Sequence, residues 1–132
     1  MLPKNLTDIG GHAFWGCNKL SSVKIPSRLT SIDATAFSSC DGLTSVMVDD
    51  ANPQYSSDGK VLFNKNKSKL IAAWVNNIKD YIVPASVSSI EKNAFYYNSS
   101  LTSLNASSSL TSVGNEAFYH CVNLTSIELS SE

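Results

Sequence analysis

Three cysteines carry the most reactive side chains of this sequence: Cys17, Cys40 and Cys121. A thiol can bind a metal, form a disulfide or act as a nucleophile, but no C-x-x-C pair occurs, and a zinc site needs four converging ligands. Each cysteine stands at the same position of a repeated pattern, and Asn98 takes this position once. We therefore expect a shared structural role, in which a small polar donor satisfies backbone carbonyl groups of a tight turn. A Cys17–Cys40 disulfide is the alternative, since adjacent stacked coils approach the required Cα separation of about 5–6 Å, although parallel Cβ directions suit it poorly.

The remaining candidates for chemistry are few. His12 and His120 stand at different positions of the repeat, so we expect two separate surface residues and no pair. The stretch Asp49–Asn52 resembles part of a calcium loop but lacks its Gly and distal Glu, which favours an acidic turn. No G-x-S-x-G elbow, P-loop or paired-carboxylate spacing occurs. The sequence thus predicts neither an enzyme nor a cofactor or metal site.

Composition narrows the function classes further. The chain has 132 residues, of which 42% are hydrophobic, and a formal net charge of −1. The length and the hydrophobic fraction predict one globular domain. The balanced charge indicates that the chain has no basic stripe that could bind nucleic acid. No apolar run reaches the roughly 18 residues of a membrane helix, and no leader of the secretory type precedes the repeats.

The elements that must position these side chains are repeats. The stretch from Leu110 to Glu132 matches three others position for position, and consecutive matching units start 23 residues apart. A period in the twenties is typical of a stacked-coil solenoid. We predict a single domain over residues 1–132, with a partial repeat at 1–5, regular repeats at 6–28, 29–51, 87–109 and 110–132, and a longer unit at 52–86. Neither end carries a polar cap, so we expect a segment of a longer array or end-to-end self-association.

Aligned columns predict the local structure of each unit. Val23 and its equivalents stand two residues before Ile25 and its equivalents, a period that predicts short strands such as Ser22–Ile25. We expect these strands to pair in parallel, as one continuous sheet along the array. The Ala-Phe-x-x-Cys segment predicts a single helical turn, with Asp33 as an N-cap.

The longer unit carries a hairpin pattern. Val61–Phe63 and Leu70–Ala73 flank the polar stretch Asn64–Ser68, after an Asp58-Gly59 turn. Tyr81 then rejoins the column of Val23. We therefore predict one coil enlarged by a projecting β-hairpin.

The repeated pattern L-x-x-[IV]-x-x-x-A-F-x-x-[CN]-x-x-L-x-x-[VIL]-x-[IVL]-P resembles the BspA-like leucine-rich repeat, also called the Treponema pallidum type. The interposed NPQYSSDGKVLFNKNKSKLI is similar to a hairpin-bearing unit of such proteins. The resemblance covers essentially the whole chain, and its local departures are Asn98, Ala106, Ser109 and Ser130. It implies an α/β leucine-rich-repeat solenoid, strand-dominated, with a parallel sheet on one face, single helical turns or irregular coil on the other, and one inserted β-hairpin.

The resemblance also implies a function. It indicates a non-enzymatic protein-interaction module of a bacterial or protist cell-surface protein, adhering to host, matrix or cell-surface proteins. Outward strand positions are where a solenoid usually meets its partners. Met47 and Ile82 are the apolar members of this face, and contiguous exposed apolar residues often mark interaction sites; the hairpin covering both is the alternative. The candidate partner-binding residues are Ser22, Lys24, Ser45, Met47, Ile82, Ser103, Asn105, Ser126 and Glu128.

Two other functions stay open. The chain can be a structural spacer or stalk segment of a larger surface protein. It can also recognise carbohydrate through Trp15, Tyr96 and Tyr119, which follow the core Phe of their units. Tyr96 and Tyr119 are predicted to lie in adjacent coils, either as cover for the core or as a sugar platform.

Overall fold

The computed structural model describes residues 2–129, and every regular element in this range is a β-strand. The last three residues, which close the predicted unit 110–132, lie outside the described residues. The strands are β1 (Asp8–Ile9), β2 (Ser22–Ile25), β3 (Ser31–Ile32), β4 (Ser45–Val48), β5 (Tyr55–Ser57), β6 (Leu62–Asn64), β7 (Lys69–Ala72), β8 (Asp80–Ile82), β9 (Ser89–Ile90), β10 (Ser103–Ala106), β11 (Ser112–Val113) and β12 (Ser126–Leu129). They build a strand-dominated solenoid.

The longer strands stack in parallel as predicted. Ser22 of β2 pairs with Ser45 of β4, and Ser103 of β10 pairs with Ser126 of β12, each 23 residues apart. In β2 the burial alternates, with Ser22 and Lys24 exposed and Val23 and Ile25 buried. This is the period-2 pattern of a sheet with one face on the core and one in water. The repeat boundaries themselves stay a prediction.

The prediction of one continuous sheet is wrong, because the longer unit interrupts the sheet. β2 and β4 form one sheet, and β8, β10 and β12 form another. Between them, the backbone N–H of Val46 donates to the carbonyl oxygen of Gly59 at 2.9 Å, and the Ser57 hydroxyl donates to the carbonyl of Val46. Across the gap, the Tyr81 hydroxyl donates to Oδ2 of Asp58 at 2.9 Å. The Asp58-Gly59 turn therefore occupies the place where β4 and β8 would otherwise pair.

A second parallel ladder runs along another side of the coils, which the sequence columns did not reveal. It consists of two-residue strands, with β1 paired to β3 and β9 paired to β11. Threonine hydroxyls reinforce it, since Oγ1 of Thr30 and of Thr111 donates to a carbonyl oxygen 23 residues earlier. The Ser and Thr residues at fixed repeat positions thus add side-chain bonds between neighbouring coils.

The hairpin exists, but it does not project. β6 pairs antiparallel with both β5 and β7, around a turn in which Oδ1 of Asn64 accepts the N–H of Ser68 and of Lys69, each at 2.9 Å. β7 then pairs in parallel with β9, so it continues the second ladder. Phe63 and Leu70 are fully buried. The predicted projection is wrong because these apolar side chains fill the core of the coil itself.

The Ala-Phe segments form successive turns, and residues 2–129 contain no helix. Two columns of left-handed residues prevent one: His12, Asn93 and Glu116 before the Ala-Phe pair, and Gly16, Ser39, Tyr97 and His120 after it. A left-handed residue costs about 1–2 kcal/mol and cannot continue a right-handed helix. Glycine, asparagine and histidine adopt positive φ more readily than other types, whereas Glu116, Ser39 and Tyr97 do not, so the sequence carried only part of the sign of these turns.

Aromatic stacking fills the core inside these turns. The rings of Phe14 and Phe37 stack with centroids 4.9 Å apart, and those of Phe95 and Phe118 with centroids 5.2 Å apart. In the longer unit Trp74 packs on Phe37 at 4.9 Å, and its Nε1 donates to the carbonyl oxygen of Ala34 at 2.7 Å. The core thus continues through the interruption of the sheet.

Candidate binding surfaces

The predicted partner-binding residues lie on the outward faces of the two parallel sheets. In the first sheet Lys24 lies opposite Met47, whose side chain is 50% exposed. In the second sheet Ile82, Asn105 and Glu128 form one row, and Ile82 is 75% exposed. The neighbouring serines Ser22 and Ser126 are exposed, and Ser45 and Ser103 are half-buried. The hairpin therefore leaves Met47 and Ile82 open, but the Asp58-Gly59 turn separates them into two halves of the face.

Asp80 belongs to this face and was missed from the sequence. It pairs in register with Ser103, whose hydroxyl donates to Oδ1 of Asp80 at 2.6 Å. Thr102 Oγ1 donates to the same oxygen at 3.2 Å. Counting back one residue from Tyr81, which the columns already placed, would have found this carboxylate.

Two of the three cysteines, Cys40 and Cys121, have the predicted structural role. Sγ of Cys40 lies 3.1 Å from the carbonyl oxygen of Phe14, and Sγ of Cys121 lies 3.0 Å from that of Phe95. Asn98 does the same with an amide, since its Nδ2 donates to the carbonyl oxygens of Ala73 and Val75 at 2.9 and 3.2 Å. Cys40, Cys121 and Asn98 each donate to a carbonyl oxygen of the preceding coil. A thiol and an amide can therefore exchange at this position.

The electrostatics of the thiols agree with this role. Burial raises the pKa of the Cys40 thiol, and it raises that of Cys121 to about 11. Both thiols are therefore protonated donors at neutral pH. All three cysteines are free, so the Cys17–Cys40 disulfide is not formed. Cys17 is exposed.

Six rings form one connected cluster beside the turns, which we call the ring surface: His12, Trp15, Tyr96, Tyr97, Tyr119 and His120. Tyr96 and Tyr119 stack with centroids 5.3 Å apart, which confirms their predicted adjacency. Tyr97 stacks on His120 at 4.4 Å with the two planes 5° apart. Trp15 of the first unit contacts Tyr97 at 5.0 Å, although the two are 82 positions apart in sequence.

The long reach of Trp15 depends on small residues between the coils. Ser38 takes the column position of Trp15 and Tyr96 in the second unit, and only 1% of it is exposed. A small side chain at this position leaves room for the larger rings to approach each other. The two histidines, expected to be unrelated surface residues, are indeed exposed but belong to the same ring surface.

An open groove of about 590 Å³ lies next to the ring surface. Asp33, Lys69, Glu91, Lys92 and Asn93 supply its charged and amide groups. A single turn connects the groove to the ring surface. In this turn the N–H of Tyr96, a ring residue, donates to the carbonyl oxygen of Asn93, a groove residue, at 3.1 Å.

Asp33, the predicted helix N-cap, instead closes a local turn at the groove. Its Oδ1 accepts the hydroxyl and the N–H of Thr35 at 2.7 and 2.8 Å. The hydroxyl bond, followed by the backbone bond, lowers the pKa of Asp33. Asp33 is therefore a charged acceptor at neutral pH. Thr35 Oγ1 also accepts the N–H of His12 at 3.1 Å, which ties the groove to the first ring.

Within residues 2–129, no group of three His, Cys, Asp or Glu side chains is arranged to hold a metal ion. In the same range, no helix is long and apolar enough to cross a membrane.

Comparisons with known proteins agree with the architecture. The chain is similar to a leucine-rich cell-surface protein from Faecalibacterium prausnitzii, with 30% identity and a TM-score of 0.76, over 97% of this chain and 34% of that one. It is also similar to the pneumococcal vaccine antigen PcpA, with 28% identity and a TM-score of 0.72, over 84% of this chain and 28% of that one. A leucine-rich-repeat protein from Eubacterium ventriosum shares the fold at 21% identity and a TM-score of 0.73, over 97% of this chain and 41% of that one.

The chain thus spans about 28–41% of the length of these structural relatives. Comparison with curated proteins found no match. The model of the BspA-type leucine-rich-repeat region matches residues 1–74 and 71–132, with six copies. Residues matched in this way include all regular units and the hairpin-bearing one, and the protein belongs to the BspA-type leucine-rich-repeat family.

Proposed function

We propose that this chain is a non-enzymatic protein-binding module of a bacterial cell-surface protein, and that it binds through the outward strand face. The observation that carries this proposal is the exposure of Met47 and Ile82, 50% and 75%, on a face otherwise built from small and polar side chains. Burying one such side chain contributes about 1.5–3 kcal/mol. A few residues of this kind supply most of the affinity of a typical interface.

The charges on the face define the partner that fits it. Lys24 lies beside Met47 in the first half. In the second half, Asp80 lies two residues before Ile82 on β8, and Glu128 lies in the row of Ile82 beyond Asn105. A partner with an apolar centre and opposite charges at its two sides is complementary to this arrangement. Rim charges of this kind set orientation and association rate more than affinity.

The relatives support a place on the cell surface. One is described as a cell-surface protein and another as a vaccine antigen. Leucine-rich-repeat domains generally mediate protein–protein interaction. Adhesion to host, matrix or other cell-surface proteins follows as the role that we propose for this module.

The test is a binding screen against purified extracellular-matrix and plasma proteins, followed by variants of both halves of the face. Met47→Ala and Ile82→Ala should each lower the affinity for a bound partner by about tenfold or more, since each removes an apolar anchor. A combined change of Lys24, Met47, Ile82, Asn105 and Glu128 to alanine should abolish binding. Val122→Ala is the matched control, because Val122 is an apolar residue with 68% exposure away from the strand face. If a partner still binds the variant with the combined change, the strand face is not its binding surface.

The spacer function and end-to-end association rest on a different observation. Val113, Ile127 and Leu129 are all at least half exposed at one end of the described stack, around an apolar groove of about 270 Å³. We propose that this apolar end associates with a second copy of the chain. Light scattering over a concentration series tests this. A mass that stays monomeric for the native chain, and equal to that of Ile127→Asp, would exclude self-association.

A further inference from the structure

We propose that the ring surface and the adjacent groove together form a binding site for a neutral oligosaccharide. This site is distinct from the strand face, and it does not depend on the protein partner proposed above.

The ring surface has the chemistry that sugar rings require. The faces of pyranose units carry C–H bonds, which are attracted to the negative face of an aromatic ring. Trp15 and Tyr119 are 38% and 43% exposed, and Tyr96 lies between them, with centroid distances of 6.1 Å to Trp15 and 5.3 Å to Tyr119. Tyrosine hydroxyls can donate and accept hydrogen bonds, which sugar hydroxyls need for orientation.

The groove supplies the polar part of such a site. Its volume of about 590 Å³ lies within the range of roughly 300–1,000 Å³ that ligand pockets have. Asp33 and Glu91 offer carboxylate acceptors, and Lys69 and Lys92 offer donors. Asn93 adds an amide group to the lining, although its Oδ1 is buried and therefore out of a ligand's reach.

The charges of the site point to a neutral ligand. The carboxylates of Asp33 and Glu91 balance the two lysines of the groove, and Glu116, on the turn next to Tyr119, adds a third carboxylate. A strongly anionic saccharide would meet these carboxylates without a cationic surface to bind it.

The rings are held in place before any ligand arrives. Each contacts at least one other ring, and the backbone of Tyr97 adopts a left-handed conformation that its N–H bond to the carbonyl oxygen of Tyr119, at 2.8 Å, helps to fix. Binding to a preorganised surface costs less conformational entropy than binding to mobile side chains. A proline-rich peptide also stacks on aromatic residues, but it favours an apolar groove, whereas this groove is lined by charged and amide groups.

Calorimetric titration of the intact chain with cellohexaose, maltohexaose, xylohexaose and chitohexaose tests the proposal. We expect at least one of these to bind and to change the fluorescence of Trp15, since the other tryptophan, Trp74, is only 5% exposed. Trp15→Ala and Tyr119→Ala should each lower the affinity for that sugar by about tenfold, because each removes one aromatic face on which the sugar stacks. Ile82→Ala on the strand face is the control and should bind the sugar like the native chain.

Melting curves of each variant separate loss of the site from loss of the fold, and chemical-shift mapping of the native chain locates the sugar without any substitution. Four flat titrations, shifts away from the ring surface, or unchanged affinity in both ring variants would overturn the proposal. So would tighter binding of a heparin hexasaccharide or of octaproline. A protein partner lost with Ile82→Ala and kept with Trp15→Ala would show that the two surfaces act separately, whatever the sugar result.

Discussion

The regular coils and the longer coil are joined to their neighbours in different ways. Between regular coils the same backbone pairs recur at an offset of 23 residues, and hydroxyls such as that of Thr30 repeat the connection. The longer coil breaks this ladder only toward the preceding coil, where single side chains such as Asn52 and Trp74 make most of the connection. Toward the following coil, β7 and β8 keep the parallel backbone pairing. Stability in the regular part is therefore spread over many equivalent bonds, whereas at the junction before the longer coil it depends on a few side chains.

Asn52 shows this dependence most clearly. It is fully buried, and its Nδ2 donates to the carbonyl oxygens of Pro26 and Leu29 at 2.8 and 3.0 Å. Its Oδ1 accepts the N–H of Gln54 and of Tyr55 at 2.7 and 3.0 Å. One amide thus links the turn that opens the longer coil to the coil before it.

The largest effect is therefore expected for Asn52→Ala. The change leaves buried carbonyl and N–H groups without partners, and we expect a loss of about 3 kcal/mol in the free energy of unfolding. Urea unfolding measures it, with Asn105→Ala on the exposed strand face as the control, for which less than about 0.5 kcal/mol is expected. Equal losses in the two variants would remove the distinction between the coils.

Trp74→Phe should have a smaller effect. Phenylalanine keeps the aromatic packing on Phe37 but removes the Nε1 donor to the carbonyl oxygen of Ala34. We expect a loss of about 1–2 kcal/mol, because a buried carbonyl loses its partner. Trp15→Phe is the matched control at an exposed tryptophan. A loss at Trp74 no greater than that at Trp15 would contradict the proposed role of its indole N–H.

The smallest effect at neutral pH is expected in the regular part, for Cys121→Asn. Asn98 makes the same kind of bond from the same column, so the free energy of unfolding should change by less than about 0.5 kcal/mol. The difference emerges in alkaline solution. The folded pKa of Cys121 is about 11, whereas an unfolded thiol has a pKa of about 8.5.

The sign of this effect follows from proton binding. Between these two pKa values the unfolded chain loses the thiol proton and the folded chain keeps it, so stability is complete below the unfolded value and falls as pH rises toward 11. Unfolding curves over this range should fall less steeply for Cys121→Asn than for the native chain. The same slope in Cys121→Asn and in the native chain would contradict the prediction.

The sequence was informative wherever a residue repeats. The strands, the shared role of Cys40 and Asn98, and the adjacency of Tyr96 and Tyr119 all follow from columns, because stacking brings equivalent positions together. The hairpin was also predictable, from its alternating apolar runs around Asn64–Ser68.

What was missed depends on properties that columns do not carry. The left-handed turns involve types such as Tyr97 that rarely adopt positive φ, so tertiary packing decides them. The break in the sheet depends on a bond from Val46 to Gly59, two residues of different units. The ring surface depends on the small size of Ser38, which matters only because its neighbours are large. Each of these features is a relation between unequal coils.

The interruption of the sheet at Gly59 has a mechanical consequence for a chain of this kind. A stack with a uniform ladder transmits tension from coil to coil through equal backbone bonds, whereas here the β4 edge and the β8 edge are bridged by a turn. Pulled from its two ends, the molecule should yield first at that bridge, and the two shorter stacks should then extend as separate steps. The junction between β4 and β8 in the longer coil would thus be the mechanically weakest part of the array, and it would set the largest force that the array withstands.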